Sequence, residues 1–371
     1  MRLQLIAGGD WHPASTIAVA ESKSPAYAPT PPNPGIMVPK RFDNPTLAEL
    51  KEVERRLLAG EEVVAQFREP GYGDELLDEV NSLAARFGRS LEVRFYSHVG
   101  TTFDCAVLNR LPAVVHLSID CLQYASNLDA IAQLGCLETL SIGIDELSDT
   151  RILRHPNLRS LTALTLGASK SKAIDLSFLG DYSQVKRLRI CGHTRGIETL
   201  AAMTSLRTLA LDGIGKQTRL DFLSKMTDLQ SLRFLLGGRL SISEIDIPEL
   251  RDLEVCRVRG LTDLGDLSRF RRLESLIVDD QAQIEGVALS VVHSELRMIR
   301  IFNCRTLREV SGLDTLPKLD HLVIGETTLG REALLALTLP PSIKVCSLCT
   351  GKEREDRLID AAVASRGYGR S

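Results

Sequence analysis

The 371-residue sequence has few aromatic residues, little net charge and no long apolar run. Phe, Trp and Tyr together make up 5% of the residues, and 45 basic residues nearly balance 48 acidic ones. This balance gives no general attraction to nucleic acid or to an anionic membrane surface. A membrane-spanning helix needs about 18 or more consecutive apolar residues. The sequence has no such stretch and therefore predicts no membrane span.

The start of the chain and its cysteines favour a cytoplasmic location. Gly8, Gly9 and Asp10 interrupt the apolar character of the first residues, which are too short a run for a secretory signal. The eight cysteines are scattered along the chain, unlike the clustered cysteines of small disulfide-bonded domains. We therefore expect a cytoplasmic protein with reduced thiols. Only 11 of the 45 basic residues are Lys, which points to a GC-rich, bacterial coding sequence.

One apolar pattern recurs from residue 111 to residue 345. Its central residue, called the anchor here, is usually Leu, and successive anchors are 21–24 residues apart. Three positions of each repeat are apolar: the anchor, the third residue before it and the second after it, with Pro340 as the one exception. Such a repeat predicts a solenoid, because one unit cannot bury its apolar residues alone. The anchors are Leu117, Leu140, Leu164, Leu188, Leu209, Leu232, Leu253, Leu276, Ile299, Leu322 and Ile343.

The pattern resembles that of leucine-rich repeat proteins over about two thirds of the chain, as in LGCLETLSI (134–142), MTSLRTLAL (203–211) and LPKLDHLVI (316–324). The resemblance implies an α/β fold, a leucine-rich repeat solenoid of about eleven repeats. In that family each anchor lies on a strand of a curved parallel sheet, and the rest of the repeat returns along the convex side. The family's asparagine, five residues after the anchor, is absent here; that position holds residues such as Ser169, His193, Gln281 and Cys304. We expect irregular turns.

The sequence divides into four segments. Residues 1–45 are expected to form a proline-rich, largely irregular arm. Residues 46–100 predict a helix-strand-helix-strand N-terminal α/β cap, which opens with the capping box Thr46-Leu-Ala-Glu49 and continues the repeat register at Val93. Residues 101–350 form the solenoid, and residues 351–371 predict a C-terminal tail with a short helix and a frayed end.

No pattern typical of an active site is present, since phosphate-binding loops and the common hydrolase motifs are missing. His116, Ser118 and Asp120 alternate along one predicted strand and point in parallel, so we interpret them as solvent-facing rather than as a triad. Cys346-Ser-Leu-Cys349 has the spacing of a thiol pair or half a zinc site. An enzyme or metal/thiol protein using these cysteines is an alternative. We expect no enzyme, no metal and no cofactor.

The candidate binding surface is the concave face of the solenoid. Residues one before, one after and three after each anchor point away from the core. In the later repeats these positions combine apolar side chains with charged neighbours, which is typical of a protein interface. The predicted partner-binding residues are Arg187, Arg189, Arg233, Leu235, Asp252, Glu254, Ile277, Asp279, Met298, Arg300, Phe302, His321 and Val323.

The expected function is non-catalytic binding of another protein, with no nucleic acid and no membrane as partner. An inhibitor or immunity-type protein and an adaptor or translocated effector both fit this mechanism. Nucleic-acid binding through the basic patch of Arg187 and Arg189 is the other alternative. Acidic residues on the same face and the lack of interleaved aromatic residues disfavour it.

Overall fold

The computed structural model describes residues 39–68, 71–97, 101–147, 149–170 and 173–369, so most of the predicted proline-rich arm lies outside the described residues. These residues form two compact units, the first ending at Leu206 and the second beginning at Arg207. Each unit is built on a parallel sheet with one strand per repeat, as the leucine-rich repeat pattern predicts. In the described part of the chain, no helix has the length and apolarity to cross a membrane.

The first unit has a seven-stranded parallel sheet in the order β1-β2-β3-β5-β7-β8-β9 and a small sheet of β4 and β6. Short 3-10 helices connect most of the repeats. The elements are β1 (Lys40–Asp43), α1 (Leu47–Leu58), β2 (Val63–Phe67), α2 (Asp74–Phe87), β3 (Leu91–Tyr96), β4 (Thr102–Asp104), β5 (His116–Leu122), β6 (Tyr124–Ser126), β7 (Thr139–Ile144), β8 (Ala163–Leu166) and β9 (Arg187–Cys191).

The second unit also has a seven-stranded parallel sheet, in the order β10-β11-β12-β13-β15-β17-β18, and a small sheet of β14 and β16. Its elements are β10 (Thr208–Asp212), β11 (Ser231–Leu235), β12 (Asp252–Cys256), β13 (Ser275–Asp279), β14 (Gly286–Ala288), β15 (Met298–Phe302), β16 (Glu309–Ser311), β17 (His321–Gly325), α3 (Arg331–Leu335), β18 (Val345–Cys349) and α4 (Glu353–Ser365).

The anchors pair with one another across each sheet, as predicted, with one exception. In the last repeat Leu322 pairs with Cys346, so the predicted anchor Ile343 lies three residues too early. Pro340 and Pro341 cannot donate to a strand ladder, and the strand therefore starts only at Val345. In the observed register Ile343, Cys346 and Leu348 occupy the three core positions, and the apparent exception at Pro340 disappears.

The N-terminal cap contains the helices and strands that the sequence predicts. Its capping box is present, with Thr46 accepting from the Glu49 backbone N–H and the Glu49 carboxylate accepting from the Thr46 N–H. Val93 pairs with Leu117, so β3 continues the repeat register. Strand β1, which pairs with β2, was not predicted, because it falls in the segment assigned to the arm.

The tail covers the last strand of the second unit. Ile359 and Val363 of α4 are buried, which gives the helix one apolar face against the sheet. The chain then returns to β18, where the Gly369 N–H donates to Lys344 O at 2.7 Å and Gly369 O accepts from the Cys346 N–H at 2.9 Å. The sequence predicted a frayed end, but these bonds hold the tail to the sheet as far as Gly369.

Different side chains replace the missing asparagine in different turns. His193 Nδ1 accepts from the Ile174 N–H at 3.1 Å, and its Nε2 donates to Gly167 O at 2.8 Å. Gln281 Nε2 donates to Asp279 O at 3.0 Å, and Cys304 Sγ donates to Val278 O at 3.3 Å. Ser169 Oγ donates to Asp145 O at 2.9 Å. In each of these turns a different side chain therefore bonds backbone groups that the asparagine would otherwise bond.

His193 should make the first unit sensitive to acid. Burial lowers the pKa of His193 below its ordinary value of 6.5. Since the unfolded chain keeps the ordinary pKa, it takes up the proton first, and stability is lost as the pH falls below about 6.5. We expect the melting temperature to fall more steeply from about pH 7.5 to about pH 5.5 in the wild type than in His193→Asn. Thermal denaturation measures both slopes. Ser169→Ala, which removes a turn hydrogen bond but no titratable group, serves as the control and should keep the slope of the wild type. Equal slopes for wild type and His193→Asn would contradict the expectation.

Candidate functional site

The candidate site lies on one face of each sheet, which we call the outer face. It carries the residues one before, one after and three after each anchor. Eleven of the thirteen predicted residues lie on the outer face of the second unit, on five neighbouring strands from β11 to β17. The other two, Arg187 and Arg189, lie on β9 of the first unit.

Strand register arranges the eleven residues in three rows across the sheet. The middle row runs Arg233, Glu254, Ile277, Arg300 and Val323. One flanking row contains Asp252, Met298 and His321, and the other contains Leu235, Asp279 and Phe302. Neighbouring strands in a sheet lie about 4.8 Å apart, so residues next to each other in a row can be in contact.

Part of this face is less exposed than the sequence suggests. Leu235 and Val323, predicted as bare apolar residues, are only 8% and 6% exposed, and Arg233 is 8% exposed. Ile277, Met298, Phe302 and His321 are half-buried, and these four keep accessible surface.

Opposite charges on the outer face of the second unit form two ion pairs. Arg233 Nε lies 3.4 Å from Glu254 Oε1, and Arg300 Nε lies 2.8 Å from Asp279 Oδ2. Burial raises the pKa of Glu254 to about 7, against the opposing effect of the Arg233 charge. Burial also raises the pKa of Asp279, and the charge of Arg300 acts in the opposite direction. At Asp252, burial and the negative charge of Glu274 together raise the pKa to about 6.

Phe302 is held in place from two sides. The Arg300 guanidinium lies over its ring at 4.8 Å, within the range of a cation–π contact. On the other side the ring occupies the space above Gly325, where an added Cβ would lie 2.7 Å from Phe302 Cε2 and would also collide with Cys349 Sγ. The aromatic ring is therefore positioned before any partner binds.

A buried polar cluster lies on the outer face of the first unit, where sequence reasoning placed solvent-facing residues. Ser118 and Asp120 are each 2% exposed. Ser118 Oγ donates to Glu92 Oε1 at 2.5 Å, and Arg94 bonds both Asp120 Oδ1 at 2.8 Å and Gln66 Oε1 at 3.1 Å. The interpretation as exposed residues is wrong because strand β3 brings Glu92 and Arg94 directly beside β5.

The sequence showed the alternation of this strand but not the burial of its polar face. Glu92 and Arg94 alternate with Leu91, Val93 and Phe95, which are buried and apolar, and the same alternation is typical of a strand with one exposed face. Burial raises the pKa of Asp120 to about 6, while the charge of Arg94 acts in the opposite direction. The cluster joins strands of the cap to the first repeat strand through polar contacts.

The two cysteines of the thiol alternative lie on opposite faces of β18. Cys346 is buried on the core side, and Cys349, three residues later, is half-buried on the outer face. Burial raises the pKa of each thiol to about 11, so both are protonated at neutral pH. This geometry does not bring the two sulfur atoms together as a ligand pair. Across the described ranges, no group of three or more His, Cys, Asp or Glu residues could hold a metal ion.

The basic patch of the first unit lies beside small side chains. Arg187 is exposed and Arg189 is half-buried. Strand β8 pairs with β9, and β7 pairs with β8 on its far side; their outer-face positions, and the residue that follows β8, are Thr139, Ser141, Gly143, Ala163, Thr165 and Gly167. None of these six side chains is aromatic, so none can stack on a base. Proteins that bind single-stranded nucleic acid without sequence preference use such stacking contacts.

Several solved structures have a similar fold. An internalin of Listeria monocytogenes is 18% identical over 80% of this chain and 76% of its own, with a TM-score of 0.45. A leucine-rich repeat protein of Leptospira interrogans is 14% identical over 84% of this chain and 89% of its own, with a TM-score of 0.48. A chain of the mouse RP105/MD-1 complex is 16% identical over 78% of this chain and 55% of its own, with a TM-score of 0.46.

No protein-family model matches the chain, and a search of curated proteins found no match. The strand register, the repeat length and the parallel sheets define a leucine-rich repeat solenoid in each unit.

Proposed function

We propose that this protein binds a partner protein through the outer face of the second unit, without catalysis. One observation carries the proposal: Ile277, Met298, Phe302 and His321 keep accessible surface on the neighbouring strands β13, β15 and β17, where Met298 pairs with His321 and Ile277 pairs with Arg300. Interfaces combine such apolar and aromatic anchors with charged neighbours. Because Arg300 bonds Asp279 and lies over the Phe302 ring, this one anchor is held in position before binding, which lowers the cost of binding.

The proposed setting is the cytoplasm of a bacterial cell. The eight free thiols and the arginine-rich composition support this setting. Within it, two uses fit: a tightly bound inhibitor or immunity-type protein, and an adaptor or effector that binds its target reversibly. Measuring the dissociation constant separates them, since we expect about 1 nM or below for an inhibitor and about 1 μM for an adaptor.

The test is a quantitative pull-down from native lysate with the wild type and the variant Ile277→Asp/Met298→Asp. Placing two carboxylates in the centre of the anchors should reduce retention of a stoichiometric partner at least about 30-fold, since a central anchor contributes about 2 kcal/mol or more. The control is Leu240→Asp/Val291→Asp, which introduces the same two charges at residues that are 69% and 67% exposed in loops of the same unit.

Circular dichroism must first show that both variants fold like the wild type. Loss of one partner from Ile277→Asp/Met298→Asp alone supports the proposed face. Retention of the same partners by all three proteins would show that the outer face of the second unit is not the binding surface.

A further inference from the structure

Among the described residues, the return segments of the second unit pair with one another at two separate places. Ser241 pairs with Asp263 through an isolated bridge, and further along the unit β14 pairs with β16. Among the described residues, no pairing joins the segment at Asp263 to β14. A groove of about 190 Å³ lies there instead, and its lining includes Asp263, Gly265, Gly286, Ala288 and Glu309.

The groove is open because one of its walls is bonded to the preceding repeat. Arg269 Nε donates to Ile245 O at 2.6 Å, and its Nη2 donates to Leu264 O at 2.8 Å and to Ile242 O at 3.2 Å. Gly265, at φ +70°, packs so closely on Ser243 that an added Cβ would lie 2.9 Å from the Ser243 Cβ. These contacts hold residues 263–267 away from β14.

The other wall of the groove is an unpaired strand edge. The Leu289 N–H donates to Ser311 O at 3.0 Å, and Glu285 O accepts from the Arg308 N–H at 2.8 Å. In a parallel pair, residues that alternate along a strand direct their backbone groups to opposite sides. Gly286 and Ala288 therefore direct their N–H and C=O groups away from β16 and into the groove. Both residues are exposed, whereas Val287 between them is buried.

The groove also carries negative charge. Asp263 and Glu309 are both exposed. Among the described residues no Lys or Arg lies within salt-bridge distance of either carboxylate, and Asp263 is near enough to Arg269 for its charge to raise the pKa of that guanidinium against the effect of burial. Asp263 Oδ1 accepts from the Gly265 N–H at 2.7 Å, which fixes the orientation of its carboxylate. A basic side chain is the complement of this pair of carboxylates.

We propose that an extended segment of a partner protein, with a Lys or Arg between apolar residues, adds to the free edge of β14. Its backbone bonds Gly286 and Ala288, and its basic side chain pairs with Asp263 and Glu309. Addition of a strand to an exposed edge takes affinity from main-chain bonds and specificity from side-chain contacts. This site is separate from the outer face and does not depend on the function proposed there.

The probe is the acetylated, amidated peptide Thr-Val-Lys-Val-Thr, with Thr-Val-Glu-Val-Thr as its charge-reversed counterpart. Each is titrated into the full chain while the amide resonances of Gly286 and Ala288 are followed by NMR. We expect the Lys peptide to shift both resonances and to bind at least about 10-fold more tightly than the Glu peptide. Equal binding of the two peptides, no binding, or shifts that map elsewhere would overturn the proposal.

Two substitutions at one position test the backbone bonds. Ala288→Pro removes an N–H that faces the groove and leaves the bonds of β14 to β16, and it should weaken binding of the Lys peptide at least about 10-fold. Ala288→Ser keeps the N–H and should bind within about twofold of the wild type. Equal affinities for these two variants would show that the edge is not used.

Charge is tested separately. Asp263→Asn/Glu309→Gln should lose the preference for the Lys peptide over the Glu peptide, although its asparagine can still accept from the Gly265 N–H. Asp314→Asn, which changes an exposed carboxylate outside the groove, should keep that preference.

Sedimentation of the peptide-free chain tests whether a second copy of the chain occupies the groove. Self-association that Ala288→Pro abolishes would overturn the assignment to a separate partner. Ile277→Asp/Met298→Asp should bind the peptide normally, which keeps this test independent of the outer face.

Discussion

Gly312→Ala should destabilise the second unit by about 3 kcal/mol or more, several times the effect of Gly260→Ala. Both glycines have left-handed backbones, at φ +78° and +83°, so the conformational cost of a side chain is similar at the two positions. Their surroundings differ. An added Cβ at Gly312 would lie 2.6 Å from the carbonyl carbon of Leu289 and closer still to its oxygen. At Gly260 the nearest atom would be Arg239 O, at an ordinary 3.6 Å.

The clash at Gly312 cannot be relieved by rotating a side chain. Leu289 is fixed because its N–H donates to Ser311 O, and Gly312 O accepts from the Thr315 N–H at 3.2 Å. Two neighbouring repeats would have to separate, and their buried residues would lose contacts. Urea denaturation of the three proteins measures the difference in the free energy of unfolding. Similar losses for both variants would mean that backbone conformation alone, rather than the close approach to Leu289, requires glycine at residue 312.

Arg94→Met should destabilise the first unit by about 3 kcal/mol near pH 8, because it removes the positive charge from a buried cluster. Asp120 and Gln66 would lose their donor, and Asp120 is almost completely buried. The matched control is Arg86→Met, whose exposed ion pair with Glu54 is worth about 0–1 kcal/mol. Chemical denaturation of the variants and the wild type gives both differences.

The loss in Arg94→Met should shrink at low pH. The pKa of Asp120 is already raised to about 6 by burial, and without Arg94 it should rise further. A carboxyl whose folded pKa is raised binds its proton more tightly in the folded state, so stability increases as the pH falls through the folded pKa toward 4. The double variant Arg94→Met/Asp120→Asn should regain part of the loss at pH 8. If it regains nothing, the cost of Arg94→Met comes from lost packing rather than from an unpaired buried charge.

The repeat register could be predicted from the sequence because the core positions are buried in every repeat. Leu209, Leu232 and Leu253 pair in register and are all buried, so any polar residue there would lose its hydration. The last anchor could not be placed in this way. Ile343 is apolar like an anchor, and only the observed pairing of Leu322 with Cys346 shows that the strand begins after the two prolines.

The candidate site was less predictable, since exposure on the outer face depends on the neighbouring strands. Val323 and Ile277 are both β-branched, apolar and one residue after an anchor, yet Val323 is buried and Ile277 keeps accessible surface. The residues of one repeat do not specify how much of an outer-face side chain is covered by the neighbouring repeat, 23 residues away in the sequence. The polar cluster was missed for the same reason, because Glu92 and Ser118 meet only through the register of β3 and β5.

The bonds between Gly369 and β18 protect a strand edge. An unpaired final strand offers its main-chain groups to any other chain and can seed end-to-end fibres. Here the chain's own C-terminal residues occupy the groups of Lys344 and Cys346, and α4 covers the adjacent core with Ile359 and Val363. A strand of another chain therefore cannot pair with Lys344 and Cys346 while Gly369 holds these groups, so the molecule protects this edge from assembly by its own residues.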